Sequence, residues 1–99
     1  MLAFVNIFVE SPLMDSVIRE LRNLPNLQEL YEVSGEYDIV SVVSAKDMDE
    51  FREILVKKIM KIKGVRSTVT DVVLYSHKAS IREAESHRRQ THAKTGESR

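Results

Sequence analysis

Several residue types on which common protein functions depend are missing or scarce in this chain of 99 residues. Because it contains no cysteine, it has no disulfide bridge, no thiolate metal site and no cysteine nucleophile. Its three glycines are too few for a glycine-rich phosphate-binding loop. Its apolar runs are far shorter than the roughly 20 residues of a membrane-spanning helix, and its N-terminus lacks the basic segment of a signal peptide. We therefore expect a cytoplasmic protein of one domain that needs no cofactor.

The histidines His77, His87 and His92 all lie near the C-terminus and show no regular ligand spacing. We interpret them as solvated residues of a tail rather than as metal ligands. Because no histidine precedes His77, the predicted folded region offers no Ser-His-Asp or Cys-His set. Any enzyme built on this sequence would need a carboxylate such as Asp38 or Asp71, or a tyrosine, as its general base.

Charge is unevenly distributed along the chain, although the formal net charge is zero. Of the 15 basic and 15 acidic residues, residues 76–99 hold six and three, so this segment carries +3 and residues 1–75 carry −3. The segment has one large aliphatic residue, Ile81, and cannot bury enough apolar surface to offset the entropy lost on ordering. We predict a folded domain over 1–75 and a polar, basic tail over 76–99, with at most one helix starting at a Ser80–Glu83 capping box. Such a tail is a weak indication of nucleic-acid binding.

The first half of the folded region has the pattern strand, helix, strand. Residues 3–10 are rich in β-branched and aromatic side chains, which favours a strand. Ser11 and Pro12 then resemble an N-cap and the first helical position. Apolar residues follow at helical spacing, namely Leu13, Met14, Val17, Ile18, Leu21 and Leu24. Pro25 ends this helix, and residues 27–34 form the second predicted strand.

The second half repeats the same plan. Gly35 turns the chain into a third strand over residues 37–44, and Asp47 with Glu50 forms a variant of the capping box at the start of a helix. The predicted buried stripe of this helix consists of Met48, Phe51, Leu55, Ile59 and Ile62. Gly64 is well placed to end the helix, and residues 65–75 form the fourth strand. The order βαββαβ predicts an α+β, ferredoxin-like domain with an antiparallel sheet.

Both faces of the predicted sheet carry apolar residues. In the third strand Ile39 and Val43 point to one face, while Val40 and Val42 point to the other. Two helices can cover only one face of a sheet, so the second face needs another cover. A second copy of the chain is the simplest one. We therefore expect a homodimer through the sheet, in the manner of a dimeric α+β barrel.

Polar residues near the strand ends are the candidate ligand-binding groups. They are Gly35, Tyr37 and Asp38 at the second hairpin, and Ser67, Thr68 and Thr70 at the start of the fourth strand. A carboxylate can bind the ammonium group of an α-amino acid, and hydroxyl groups can bind its carboxylate. The structural alternative is that Asp38 only completes a turn and that threonine is present because it favours strands. The residues alone leave both interpretations open.

Residues 31–74 resemble the effector-binding domain of the Lrp/AsnC family of transcription regulators, also called the RAM domain. The matching motifs are G-x-Y-D at 35–38, D-M at 47–48, G-V at 64–65 and T-x-T at 68–70. With the strand and helix before them, the resemblance covers residues 2–75. It implies a ferredoxin-like domain that dimerises through its sheets, assembles into a ring of dimers and binds free amino acids near the dimer–dimer contacts. The implied effector-binding residues are Gly35, Tyr37, Asp38, Met48, Ser67, Thr68 and Thr70.

Two features depart from the family pattern. Family regulators begin with a helix-turn-helix DNA-binding domain, whereas this chain starts at the first strand. We therefore expect a stand-alone sensing domain that does not bind specific DNA itself and acts through a partner such as a full-length regulator. Asp71 occupies a strand position that is apolar or aromatic in the family, which favours a basic or polar effector. Two alternatives remain, a cofactor-free monooxygenase- or isomerase-like enzyme of the same barrel type and a purely structural interaction module.

Overall fold

The computed structural model describes residues 1–79. The predicted helix starting at Ser80, together with His87 and His92, lies outside the described residues. Within them the chain forms β1 (Leu2–Val9), a short 3-10 turn (Ser11–Leu13), α1 (Met14–Arg22), β2 (Leu27–Glu32), β3 (Ile39–Ser44), α2 (Met48–Glu53), a π-helical segment that continues α2 (Ile54–Ile59), and β4 (Val65–Val72). This order confirms the predicted βαββαβ sequence of elements.

The four strands form one sheet in the order β2-β3-β1-β4, and every neighbouring pair is antiparallel. Each helix therefore connects two parallel strands that have a third strand inserted between them, which is the ferredoxin-like arrangement. The sheet has two distinct ends. At the hairpin end β1 finishes at Val9, beside the first residue of β4. At the opposite end β1 begins, and Leu2 pairs with Ser44, the last residue of β3.

The hydrophobic core lies between the helices and one face of the sheet. From β1 it receives Ala3, Val5, Ile7 and Val9, which alternate along the strand as a half-buried sheet requires. One polar residue, Ser41, is fully buried on this face, and its Oγ donates a hydrogen bond to the Val5 carbonyl at 3.0 Å. The hydroxyl therefore has a partner, and the core contains it without an unsatisfied polar group.

The two helix starts differ from one another. The prediction for α2 is confirmed, because the Asp47 side chain accepts from the Glu50 N–H at 2.9 Å and caps the helix. The prediction that Ser11 is an N-cap is wrong. Ser11 lies inside a 3-10 turn, which closes by a 2.8 Å bond from the Leu13 N–H to the Glu10 carbonyl. Pro12 suits this first turn because its fixed φ is helical and it has no N–H to satisfy, so the turn starts one residue earlier than predicted.

The buried stripe of the second helix is confirmed at Phe51, Ile59 and Ile62, and Leu55 packs against the same core. It is wrong at Met48, whose side chain is 55% exposed. Ile54, which was not predicted, is buried instead. Met48 is the first residue of α2. Ile54 begins the π-helical segment, whose i→i+5 bonds add a residue to the turn, so Ile54 and Ile59 both face the core.

Gly64 joins the end of the second helical segment to β4, at a position where any side chain would be strained. Its φ is +105°, a conformation that L side chains rarely adopt. A Cβ atom at this position would lie 2.7 Å from Val17 Cγ2 and 2.9 Å from Leu13 Cβ. The backbone of Gly64 therefore packs directly against α1 and holds the hairpin end of the domain together.

Candidate functional site

Asp38 lies in the loop between β2 and β3 and is anchored to the end of β1. Its N–H donates to the Ile7 carbonyl at 3.1 Å, and its Oδ2 accepts from the Val9 N–H at 2.8 Å. Its own carbonyl accepts from the Val33 N–H at 3.0 Å, which closes the hairpin. The carboxylate thus replaces a backbone carbonyl where the β1–β3 ladder has ended at the Ile7–Ile39 pair. Asp38 has a structural contact, and this contact uses one of its two carboxylate oxygens.

The rest of the hairpin is more exposed. The ring of Tyr37 contacts Phe8, with ring centroids 5.2 Å apart and planes inclined by 60°. Aromatic pairs prefer such a tilted arrangement to face-to-face stacking. Gly35 has a φ of +128°, and a Cβ placed there would meet no atom within 4 Å. Glycine at this position serves the turn and not a close approach. The hairpin therefore fixes the Tyr37 ring and the Asp38 carboxylate in place, while residues 34–36 of the loop are exposed.

The β4 candidates lie across β1 from this hairpin. Ser67 pairs with Phe8, Thr68 with Ile7 and Thr70 with Val5. Because directly opposite residues on paired strands share a face of the sheet, Thr68 and Thr70 belong to the helix-covered face and Ser67 to the open face. Ser67 is exposed, and Thr68 and Thr70 are half-buried. The three hydroxyl groups therefore do not converge on one side of the sheet.

Met48 is separated from the other candidates within one protomer. It begins α2 four residues after Ser44, which ends β3 beside Leu2. Asp38 precedes the first residue of the same strand, so β3 extends along the sheet between them. Met48 thus lies at the opposite end of the sheet from the hairpin. One protomer brings the hairpin and the start of β4 together, and it does not bring Met48 to them.

A polar pair that the sequence did not reveal lies on the open face of the sheet. Asn6 is only 6% exposed, and its Nδ2 donates to the Val69 carbonyl at 3.2 Å and to Asp71 Oδ2 at 3.1 Å. The available signal was a lone amide between Phe4 and Phe8, on the outward-pointing positions of β1. Asp71 is therefore held by a neighbouring strand.

Apolar side chains surround this pair. On the open face Phe4 is 39% exposed, Val69 41% and Tyr31 52%, and each belongs to a strand position that points away from the helices. Among residues 1–79 no group of three or more histidine, aspartate or glutamate side chains is arranged to hold a metal ion. No helix in this part of the chain is long and apolar enough to cross a membrane.

The fold and this arrangement define a small ferredoxin-like domain with a polar hairpin and an uncovered sheet face. The family model described as the Lrp/AsnC ligand binding domain matches residues 2–82, and the chain belongs to this family. The predicted resemblance is confirmed.

Three solved structures illustrate the similarity. Escherichia coli AsnC is 26% identical with a TM-score of 0.77, over 80% of this chain and 54% of AsnC. A protein from Thermus thermophilus is 28% identical with a TM-score of 0.74, over 79% of this chain and 98% of that one. A Neisseria meningitidis transcriptional regulator, solved in complex with L-Met, is 18% identical with a TM-score of 0.76, over 81% and 53% of the two chains. This last similarity concerns the fold alone.

A different class of protein carries a related segment. The homocitrate synthase of Sulfurisphaera tokodaii is 44% identical over 59 residues, which are 60% of this chain and 13% of the enzyme. The homocitrate synthase of Saccharolobus solfataricus is 46% identical over the same length. The chain thus spans about an eighth of the length of the curated relatives that it matches.

Proposed function

We propose that this protein is a sensor of free amino acids that oligomerises and passes its ligand state to a partner protein. The observation that carries the proposal is the match of residues 2–82 to a ligand-binding domain. The L-Met bound to the Neisseria regulator supports an amino acid as the ligand, because the two domains share a fold over 81% of this chain.

The proposed effector site consists of Gly35, Tyr37, Asp38, Met48, Ser67, Thr68 and Thr70. Asp38 binds the ammonium group of the ligand in a charge-assisted hydrogen bond, since its contact with Val9 uses only Oδ2. Hydroxyl groups at the start of β4 bind the ligand carboxylate. Because these groups lie at an open end of the sheet and Met48 lies at the other end, a neighbouring copy completes the site.

A second copy also covers the open face of the sheet in this proposal. Without a second copy, the half-exposed Phe4, Val69 and Tyr31 would form an exposed apolar patch, which is uncommon on small monomeric domains. Sheet-to-sheet contact buries these side chains on both copies at once, because a twofold axis places the same surface on each side. The Asn6–Asp71 pair then lies within the dimer contact.

The partner that receives the signal is a longer protein. A full-length Lrp/AsnC-type regulator is the first candidate, since related domains occur in such regulators. A biosynthetic enzyme is the second, because the identity to the homocitrate synthase segment, 44%, exceeds the 26% to AsnC. In both cases this chain supplies ligand binding and the larger protein supplies DNA binding or catalysis.

A thermal-shift screen with the twenty amino acids tests the proposal. A ligand at 100 times its Kd stabilises the folded protein by about 2.7 kcal/mol, which raises the melting temperature by roughly 10–20 °C for a domain of this size. One amino acid, or a small chemically related group, should do so, and the bound amino acid should be recovered unchanged. At about 10 mM, a ligand with a Kd of about 0.1 mM is present at 100 times its Kd. A protein that forms its dimer and yet shows no shift with any amino acid at this concentration contradicts the proposal. Conversion of the bound ligand into a product favours the enzyme alternative.

A further inference from the structure

The exposed side of the second helical segment carries a regular order of charges. At four-residue intervals along Met48–Met60 and the turn after it, the row reads Asp49, Glu53, Lys57, Lys61, that is, acid, acid, base, base. All four side chains are exposed, with 57% for Glu53 and 66% for Lys57. A row with this order is complementary to itself when a second copy runs in the opposite direction.

The adjacent row adds apolar surface. It consists of Met48, Arg52, Val56 and Met60, again at four-residue intervals. Met48 is 55% exposed and Met60 49%, although methionine favours burial. The row therefore offers a flexible apolar side chain at each end of the helix, beside the charged row.

The π-helical segment keeps both rows nearly straight. In an α-helix a four-residue step turns about 40° beyond a full turn, so such a row winds around the axis. The π-helical turn contains more residues, as shown by the 2.9 Å bond from the Met60 N–H to the Leu55 carbonyl. A four-residue step then falls short of a full turn, which offsets the drift of α2.

Intrahelical effects explain part of this pattern. Acids near a helix start and lysines near its end suit the helix dipole, and Glu53 already pairs with Lys57 at 3.2 Å in the i,i+4 arrangement. These effects do not explain why Met48 and Met60 are half-exposed in the neighbouring row. A surface that combines both features is suited to a partner helix.

We propose that the second helical segments of two copies pack antiparallel across a twofold axis. Asp49 then lies opposite Lys61 of the second copy and Glu53 opposite its Lys57, and each Met48 packs near the Met60 of the other copy. This contact is on the helix side of the domain, so it is separate from the open face of the sheet and joins sheet dimers into larger assemblies. It does not depend on the identity of the ligand.

The contact also accounts for the position of Met48. The helix starts at the opposite end of the sheet and finishes at the hairpin end, where Val65 pairs with Val9. In an antiparallel pair, Met48 of the second copy therefore lies at the hairpin end of the first. The residue that one protomer separates from Asp38 is brought toward that end by the neighbour.

Charge-swap variants test the contact. One variant, Lys57→Glu with Lys61→Glu, has an all-acidic row, and the other, Asp49→Lys with Glu53→Lys, has an all-basic row. Both leave Asp47, which caps the helix, unchanged, and circular dichroism verifies that they fold. Multi-angle light scattering and sedimentation velocity then measure assembly at about 10–100 µM, a tenfold range chosen around typical weak association constants.

Each variant alone should remain a sheet dimer, with the association of dimers weakened at least about tenfold by the loss of opposite charges. An equimolar mixture should recover the wild-type assembly, because acidic rows then face basic ones, and rising salt should weaken it. The proposal is overturned if either variant alone assembles like the wild type, if the mixture does not recover assembly, or if the wild type does not exceed a dimer. Should a charge swap unfold the protein, Lys57→Gln with Lys61→Gln replaces it and must weaken assembly as well.

Discussion

Two substitutions of Asp38, to alanine and to asparagine, distinguish its structural contact from its proposed role in ligand binding. Asp38→Ala removes the acceptor of the Val9 N–H, a 2.8 Å bond at a residue that is only 4% exposed. A buried donor left without a partner costs about 1–3 kcal/mol, so the melting temperature should fall by roughly 4–24 °C. Asp38→Asn keeps an oxygen at the same place and should cost less than about 1 kcal/mol, because the neutral bond replaces the charged one.

Ligand affinity, unlike stability, should fall sharply already in the Asn variant. Asp38→Asn removes the charge that meets the ligand ammonium, and a charge-assisted bond contributes about 1.5–3 kcal/mol, so Kd should rise by roughly 10 to 100-fold. Urea denaturation monitored by circular dichroism measures the loss of folding stability. Titration calorimetry with the amino acid found in the screen measures the change in Kd. Glu36→Gln is the matched control, since Glu36 is an exposed acid in the same hairpin and should alter neither. Wild-type affinity in Asp38→Asn would place the site elsewhere, and equal destabilisation by the Asn and Ala variants would refute the proposed role of the Val9 contact.

Two further predictions concern the framework of the domain. Gly64→Ala and Gly35→Ala both force an alanine into a positive φ, at about 1–3 kcal/mol each, but only Gly64 would also press a methyl group against α1 at 2.7 Å. Chemical denaturation should therefore show Gly64→Ala to be less stable than Gly35→Ala by about a further 1–3 kcal/mol, and equal losses would contradict the close packing. Val69→Asp places a charge on the open face at a position that is 41% exposed in a protomer, so the variant should fold and yet sediment as a monomer at micromolar concentration. A persistent Val69→Asp dimer would show that the sheet face is not the contact.

The strands and the order of elements were predictable because they depend on local patterns. The alternation in β1 and the capping residue Asp47 each act over a few neighbouring residues, and both predictions hold. The exposure of Met48 and the burial of Ile54 were not predictable in this way. Met48 is the first residue of α2 and precedes the π-helical segment. Ile54 and Ile59 are five residues apart and both face the core because this segment inserts a residue into the turn. A periodicity of 3.6 residues cannot represent that insertion.

For the candidate site, the sequence indicated residue types better than their arrangement. The sequence correctly indicated a turn at Gly35, where the structure has a positive φ, but it did not show that Asp38 would bond to Val9 across the end of β1. That bond depends on where two strands stop pairing, which is a property of the sheet register. The Asn6–Asp71 bond joins residues 65 positions apart and required the β1–β4 register as well.

The separation of Met48 from Asp38 has a thermodynamic consequence for the proposed sensor. If a neighbouring copy supplies part of each site, then a ligand binds the assembled protein more tightly than the separate dimers. Linkage requires the same ligand to strengthen the assembly by the same factor. A coupling of about 1–3 kcal/mol, typical of allosteric proteins, would change the association constant by roughly 5 to 150-fold. The amino acid concentration would then set the oligomeric state, and a larger partner could read that state through the α2 surface, which is exposed in one form and covered in the other.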